Sequence, residues 1–486
     1  MTAMATRPPL TTAAFLVRHA RESPSAVAIE TGTERITYRD LAQLVVAGRD
    51  WLVRAGVEAD QVLGVVLPDR RTHLLVLLAA EALGVTTISL SEDEIGAPAR
   101  LGRLCDRIVA PTPIPGADPA RLIVPDPAIL DHAGEERPLD ALVHRPRPEA
   151  LVRLIKSSGT TGLPKVMGMT FRVQQLTLRK NLMDAAPHVL PRPHYLCIYN
   201  FSVRGCHSRA LLTLQLGGTV YLTGGSAAGE MIAAGVGTYA LFLTGDLERF
   251  VRWPNRDLFN PGLHIDVIGS AVSARLRQAV ETQITPHLTV TYGANEVHHI
   301  SVVDADNVGR LFPDVRVRIV DDAGKQVAPG ETGLIHIRSD TMADGYIDAP
   351  ALTRAAFVKG WYLTNDIGYQ PTPETLVVLG RADAMLNIGG VKIAPDPIEA
   401  RLKAIPGVRD ALVTSIDDML DTNVMLVAVE TEPARPGHDL AAQVGTIVMS
   451  YVASFQFLAL AAFPRTETGK IRREEVKALY RERASR

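Results

Sequence analysis

Between residues 62 and 90 the chain alternates in a way that few architectures accept. Val62–Leu67 is an apolar run of strand length, Leu74–Leu83 is an apolar run of helix length stopped by Gly84, and Thr86–Leu90 is strand-like again. Strand, helix and strand in that order make a βαβ unit, which implies an α/β fold with a largely parallel sheet. Just upstream, Ile36 and Tyr38 close a short strand. Thr37 and Asp40 then form a capping box ahead of Leu41, Leu44, Val45 and Leu52 at helical spacing, with Gly56 as the stop.

Similar alternation resumes at Leu151 and runs to about residue 290, after a segment at 111–148 rich in Pro, Asp and Ala that reads as loop. Beyond about residue 309 the period shortens. Val315–Val320, Leu334–Ile337 and Leu376–Leu379 are separated by turns such as Asp321-Asp322-Ala323-Gly324, which predicts a small β subdomain. The last hundred residues read as a separate α+β unit with a Pro-containing loop at Thr431–Gly437. In that unit Asp396, Pro397 and Glu399 are expected to be an N-cap, a first-turn proline and a capping-box partner, followed by Ile398, Leu402 and Ile405. A chain of 486 residues is too long for one core, and about two to four folding units are expected.

Bulk properties exclude several classes. A net charge of −2 offers no electrostatic basis for a nucleic-acid or membrane partner. Cys105, Cys197 and Cys206 have neither metal-ligand spacing nor the number for a disulfide framework, which fits a reducing compartment. Pro8 and Pro9 stand where a signal peptide needs an apolar run, and Leu74–Leu83, broken by Glu81, is too short to span a bilayer. A cytoplasmic enzyme is expected.

Four segments carry candidate chemistry. Lys156-Ser157-Ser158-Gly159-Thr160-Thr161-Gly162-Leu163-Pro164-Lys165 follows the strand-like Leu151–Ile155. Hydroxyls between glycines let backbone N–H groups converge on phosphate oxygens while a lysine adds charge, although such runs are also flexible loops. It is no Walker A loop, because Lys165 follows Pro164 and precedes Val166. Tyr292-Gly293-Ala294-Asn295-Glu296 follows the strand candidate Leu288–Val290 and offers an aromatic face and a magnesium-binding carboxylate, or else a turn with one buried ring. Asp366, after Trp361–Asn365, and Arg381, in Gly380-Arg381-Ala382-Asp383, could grip a ribose or form a surface ion pair. Lys470, in Thr468-Gly469-Lys470, stands in a polar turn near the end.

Taken in this order, the segments resemble the adenylate-forming superfamily of acyl-CoA synthetases, peptide-synthetase adenylation domains and luciferases, from about Ile36 to Arg473. Met342-Ala343-Asp344-Gly345-Tyr346 resembles that family's Gly-Tyr segment. The resemblance implies a large domain at residues 1–380 that binds ATP and a small-molecule carboxylic acid. A mobile lid at 384–486 would carry Lys470, with a hinge near 381–383 about Asp383. The acid attacks the α-phosphate, pyrophosphate leaves, and the acyl group passes to a thiol, which requires positioning and charge neutralisation more than covalent help. Ser157 to Gly162 and Lys165 would cradle the β- and γ-phosphates. Tyr292 with Gly293 would stack on adenine, Asn295 would face the α-phosphate, and Glu296 would hold Mg2+. Asp366 and Arg381 would bind ribose, Lys470 would bridge carboxylate and α-phosphate, and Gly389-Gly390 would line the pantetheine path.

Three departures matter. Asn295 stands in place of Thr, Asn365 in place of the Gly before the aspartate, and Ser202 in place of a pocket His. Within Tyr199–Gly205, Asn200 is neutral where amino-acid-activating members place a carboxylate, so an α-ammonium would be left unpaired. Asn200, Ser202 and Gly269 are the candidates for a pocket holding an aromatic or small cyclic acid. The acceptor is expected to be CoA, with a separate carrier protein or a free amine as alternatives. A kinase or P-loop enzyme lacks its motifs, and His298-His299 does not form a His-Glu-x-x-His metal site. A non-catalytic nucleotide-binding regulator is the alternative of another class, distinguished by AMP formation.

Overall fold

A computed structural model describes residues 10–484 apart from 97–98, 116, 126–135, 158–163, 252–256, 270, 383–385, 389–390, 394, 418–422, 432–439, 453 and 466–470. The expected βαβ unit is present. Val62–Val65 and Thr86–Ser89 pair in parallel, joined by the helix Arg70–Leu83. Asp69 opens that helix by accepting the Thr72 N–H at 2.8 Å, and Gly84 closes it at φ +78°, a left-handed position that favours glycine. The six-stranded sheet built on this unit runs Leu122–Ile123, Arg107–Val109, Val62–Val65, Thr86–Ser89, Leu151–Ser157, Lys165–Thr170. Its last two strands form an antiparallel hairpin in which Ser157 faces Lys165.

The second sheet has a parallel half: Thr219–Leu222, His194–Cys197, Tyr239–Leu243, His264–Ile268 and His287–Ala294 lie side by side. One buried cluster joins both sheets through the helices Thr12–Glu22, Tyr38–Arg54 and Arg70–Leu83, with Leu16, Leu41, Leu52, Leu78, Val65 and Tyr195 all at its centre. Burying each such side chain contributes roughly 1.5–3 kcal/mol. The Thr37–Asp40 capping box forms, with Asp40 N–H donating to Thr37 Oγ1 at 3.2 Å. The preceding strand stops at Thr37, so Tyr38 opens the helix instead of closing the strand. Its buried hydroxyl donates to the Gly218 carbonyl at 2.7 Å, and that long-range bond draws it inward.

The short-period runs expected after residue 309 are strands: Arg316–Val320, Gly333–Arg338 and Thr375–Arg381. They continue the hydrogen-bonded path of the second sheet through Gly309–Leu311, which pairs with Thr375–Arg381, yet they pack on their own core of Ile319, Ile335, Ile337, Tyr362 and Leu376. The Asp321–Gly324 turn closes with Gly324 N–H on the Asp321 carbonyl and Gly324 at φ +76°.

Residues beyond 386 form a three-stranded sheet, Val408–Asp417, Asn423–Thr431 and Phe455–Leu460, covered by Pro395–Lys403, Leu440–Val448 and Arg473–Ala484. Thr431 ends a strand, and the rest of the expected loop to Gly437 lies outside the described residues. The capping box expected at Asp396 and Glu399 is corrected. The helix already runs from Pro395, so Asp396 lies inside its first turn, and Glu399 accepts the Val413 backbone N–H at 2.8 Å. The carboxylate thus ties the helix to the first strand of the sheet instead of capping its own terminus. Among the described residues, no helix is long and apolar enough to cross a membrane.

Candidate active site

Parallel strands end on one edge, and irregular segments leaving that edge are where α/β sheets place ligands. Just beyond that edge the Tyr292–Glu296 segment meets Asp366, Tyr346 and the hairpin base at Lys156. The strand holding Tyr292 is longer than the run Leu288–Val290 suggested, extending from His287 to Ala294, so Tyr292 and Gly293 lie within the sheet. A bulge falls between them, and Gly293 faces His299 so closely that a Cβ there would stand 2.4 Å from the His298 carbonyl oxygen. Only glycine fits, and His298 itself adopts φ +63° to turn the chain back.

The Tyr292 hydroxyl donates to Oδ2 of Asp366, and burial together with that carboxylate pushes the phenol well above its usual range. Asp366 stands directly opposite Arg381 across two antiparallel strands, with Nη1 at 3.6 Å from Oδ1. The residue before it, Asn365, sits at φ +62°, which is the physical reason a glycine suits that place and asparagine is tolerated. Thr364 steadies the strand, accepting the Asp366 N–H at 3.0 Å and donating to the Ile335 carbonyl at 2.8 Å. Tyr292, Asp366 and Arg381 therefore form one constellation from three strands.

Glu296 is buried in the turn that follows, where Oε1 accepts the Tyr346 hydroxyl at 2.8 Å. Tyr346 also carries Lys165 over its ring at 5.2 Å and bridges to Met167, so the Gly-Tyr segment fastens Glu296 to the Lys165–Thr170 hairpin strand. Asn295 does the same from its other side, its Nδ2 donating to the Lys156 carbonyl at 3.0 Å. Ser157 and Lys165 flank the hairpin loop, while Ser158, Gly159, Thr160, Thr161 and Gly162 lie outside the described residues. Lys470, Asp383, Gly389 and Gly390 do also. Among the described residues no group of three or more His, Cys, Asp or Glu side chains could hold a metal. Magnesium takes most of its shell from phosphate and water oxygens beside one or two carboxylates, so Glu296 as the protein's contribution fits that ion.

Asn200 and Ser202 are exposed in the turn after His194–Cys197, and Gly269, at φ +106°, is exposed just after His264–Ile268. They share the carboxyl edge but flank the strand Tyr239–Leu243, whose Leu243 N–H donates to the Tyr199 hydroxyl at 2.9 Å. Tyr199 in turn donates to Asp246 at 2.6 Å.

Two buried arginines escaped notice in the sequence. Arg153 donates to the Phe201 carbonyl, to Ser89 Oγ at 2.7 Å and to Thr87 Oγ1 at 3.3 Å. Arg204 donates to the Asn295 carbonyl and to Thr177 Oγ1 at 3.2 Å, and burial lowers its guanidinium to about 10. A charge inside the apolar run Leu151–Ile155 was the available signal for Arg153.

A family model described as AMP-binding enzyme matches residues 16–347. Indoleacetate–CoA ligase of Aromatoleum aromaticum is 29% identical over 72% of this chain and 71% of its own length. A 2-hydroxy-7-methoxy-5-methyl-1-naphthoate–CoA ligase of Streptomyces carzinostaticus is 28% identical over 68% of this chain and 63% of its own. ATP-bound MatB from Rhodopseudomonas palustris superposes with a TM-score of 0.78 at 17% identity, covering 96% of this chain and 99% of that one, and so shares the fold. With two thirds of its length matched by the family model and acid–CoA ligases among its relatives, this chain belongs to the AMP-binding enzyme family and is an AMP-forming ligase that uses ATP.

Proposed function

We propose that the chain activates an aromatic or small cyclic carboxylic acid as its acyl-adenylate and transfers the acyl group to CoA. The observation that carries this reading is the Tyr292–Glu296 segment. It touches the Asp366–Arg381 pair at one end and both the hairpin base at Lys156 and Tyr346 at the other. Ribose, α-phosphate and magnesium subsites would thus be spaced along five residues. The Tyr292 ring would face adenine and the Asp366 carboxylate would accept the ribose hydroxyls, with Arg381 beside it. Asn295 has its amide committed to Lys156 and would present the turn's backbone to the α-phosphate. Glu296 would hold Mg2+, which supplies charge neutralisation on the phosphates.

In this reading residues 1–380 bind ATP and acid, residues 384–486 form the lid, and 381–383 are the hinge. Lys470 stabilises the charge that accumulates between carboxylate and α-phosphate, and Gly389-Gly390 line the thiol's approach. The acid pocket opens at Asn200, Ser202 and Gly269. Neutral Asn200 leaves no counter-ion for an α-ammonium, and the two relatives named above carry aryl-type acids in their names. Acid-dependent ATP–pyrophosphate exchange, with pooled aryl, aliphatic and amino acids and Lys470→Ala as control, tests the adenylation. Exchange with the aryl pool, lost in the variant, is expected. Exchange with amino acids alone would overturn the acid class. Thioester on adding CoA is the expected second step, and transfer only to a carrier protein or a free amine would overturn the acceptor.

A further inference from the structure

We infer that Arg204 is a positioning residue that couples the acid-binding segment to the nucleotide-binding turn. The inference rests on the proposed function in calling residues 199–203 acid-binding and residues 292–296 nucleotide-binding. Arg204 is the first residue of the helix Arg204–Gln215 and follows that segment directly. Its Nη1 donates to the Asn295 carbonyl and its Nη2 to Thr177 Oγ1. Asn295 then donates its side-chain amide to the Lys156 carbonyl, and Arg153, on the same strand as Lys156, donates back to the Phe201 carbonyl. Three hydrogen bonds and two stretches of chain close a ring: Phe201 through the chain to Arg204, on to Asn295, to Lys156, along the strand to Arg153, and back to Phe201.

Such a ring transmits displacement. Both guanidiniums are buried, and hydrogen bonds strengthen where the local dielectric is low. A guanidinium is also planar, so each fork fixes direction as well as distance. Among the described residues neither arginine is anchored by a carboxylate within its own fork; they hold backbone carbonyls of the two substrate-facing segments instead. Arg204 Nε has no partner among the described residues, and the fork is held at its two terminal nitrogens, the ones that point to the Asn295 turn and to Thr177. Glu296, one residue along that turn, acts on the Arg204 charge and favours its ionised form. Any shift of the turn as nucleotide settles is therefore imposed on residues 201–204 before an acid arrives.

The test is hydrogen–deuterium exchange on the full chain with Mg2+ and a non-cleavable α,β-methylene analogue of ATP, with no acid present. In the wild type, the analogue should slow exchange in peptides covering 292–296 and 361–369 and also, about fivefold, in peptides covering 199–206, the change expected of one strengthened hydrogen bond. Arg204→Lys keeps the charge but replaces the rigid planar fork with a single ammonium on a shorter stem, and so loses the fixed direction to the Asn295 carbonyl. In that variant the slowing at 199–206 should vanish while the slowing at 292–296 and 361–369 persists. Equal slowing at 199–206 in both proteins overturns the coupling, as does wild-type protein protected at 292–296 but not at 199–206, or protected nowhere. If the lysine variant does not fold, Arg204→Met removes both terminal donors while keeping an unbranched buried stem, and should give the same loss. Failure of the proposed function would register separately, as absence of acid-dependent exchange of pyrophosphate, and would leave this readout intact.

Discussion

Replacing Tyr292 by Phe deletes one oxygen and with it one bond. That hydroxyl donates to Oδ2 of Asp366, whose Oδ1 lies 3.6 Å from Arg381. A hydrogen bond to a charged acceptor contributes about 1.5–3 kcal/mol. The lower end applies here, because Arg381 still steers the carboxylate and Thr364 still caps the Asp366 amide. About 1.5 kcal/mol is roughly a tenfold change in an equilibrium or a rate. In the proposed reading Asp366 grips ribose equally in the bound substrate and in the transition state. The deletion should therefore raise KM for ATP about tenfold and leave kcat within about twofold, the signature of lost uniform binding. Initial rates of pyrophosphate release at saturating acid, with ATP varied, read both constants. Asp366→Asn removes the charge through which Tyr292 acts, so adding Tyr292→Phe to it should cost little more. An unchanged KM in Tyr292→Phe, or strict additivity of the two substitutions, would refute the argument that the phenol works by holding Asp366.

Three further outcomes are expected. Glu296→Gln keeps an acceptor for the Tyr346 hydroxyl, so the melting temperature should hold while pyrophosphate exchange falls roughly 100- to 1,000-fold, and added magnesium should not restore it. Gly293→Ala puts a Cβ 2.4 Å from the His298 carbonyl oxygen, and the backbone shift should cost about 1–3 kcal/mol in urea unfolding. Glu81 and Glu399 are both pushed up to about 7 by burial, against an ordinary 4.5. The folded chain therefore holds their protons more tightly than the unfolded chain does. Their contribution to stability is complete below pH 4.5 and is lost as pH rises through about 7. Replacing both by Gln should flatten that decline in melting temperature across the same interval.

What could be read from the sequence was whatever depends on local spacing. The run Leu74–Leu83 with Gly84, the Thr37–Asp40 box and the strands after residue 309 carry their periods and caps within a dozen residues, and they formed. What failed depended on a distant partner. Tyr38 reads as a strand residue until Gly218 supplies an acceptor for its hydroxyl, and Glu399 reads as a cap until Val413 presents its amide. The same holds around Tyr292. The order of their segments singles out Tyr292, Glu296 and Asp366 as candidates, and Tyr292 does bond Asp366, whereas Arg153 and Arg204 stayed hidden because an arginine in sequence carries no mark of what it will bond 48 or 91 residues away.

In the proposed reading those two arginines also explain how a site for two anions stays folded without them. A buried cation is costly unless paired, yet a carboxylate partner in the fork would cancel the field that a phosphate or an acid must meet. Backbone carbonyls resolve the conflict. Together with the hydroxyls of Thr87, Ser89 and Thr177, they hold the terminal nitrogens of Arg153 and Arg204 with dipoles, and each charge stays beside a backbone segment, Phe201 for Arg153 and Asn295 for Arg204. Lys156 takes the other course, pairing with Glu94, and its charge is spent within the fold. The consequence separates the cations by role: Lys156→Met should act mainly on stability through the orphaned Glu94. Arg153→Met, which removes charge without an orphaned anion, should act mainly on acid affinity. Paired measurements of urea unfolding and of KM for the acid decide it, and a variant Arg153→Met that loses stability while keeping its KM would return Arg153 to the core.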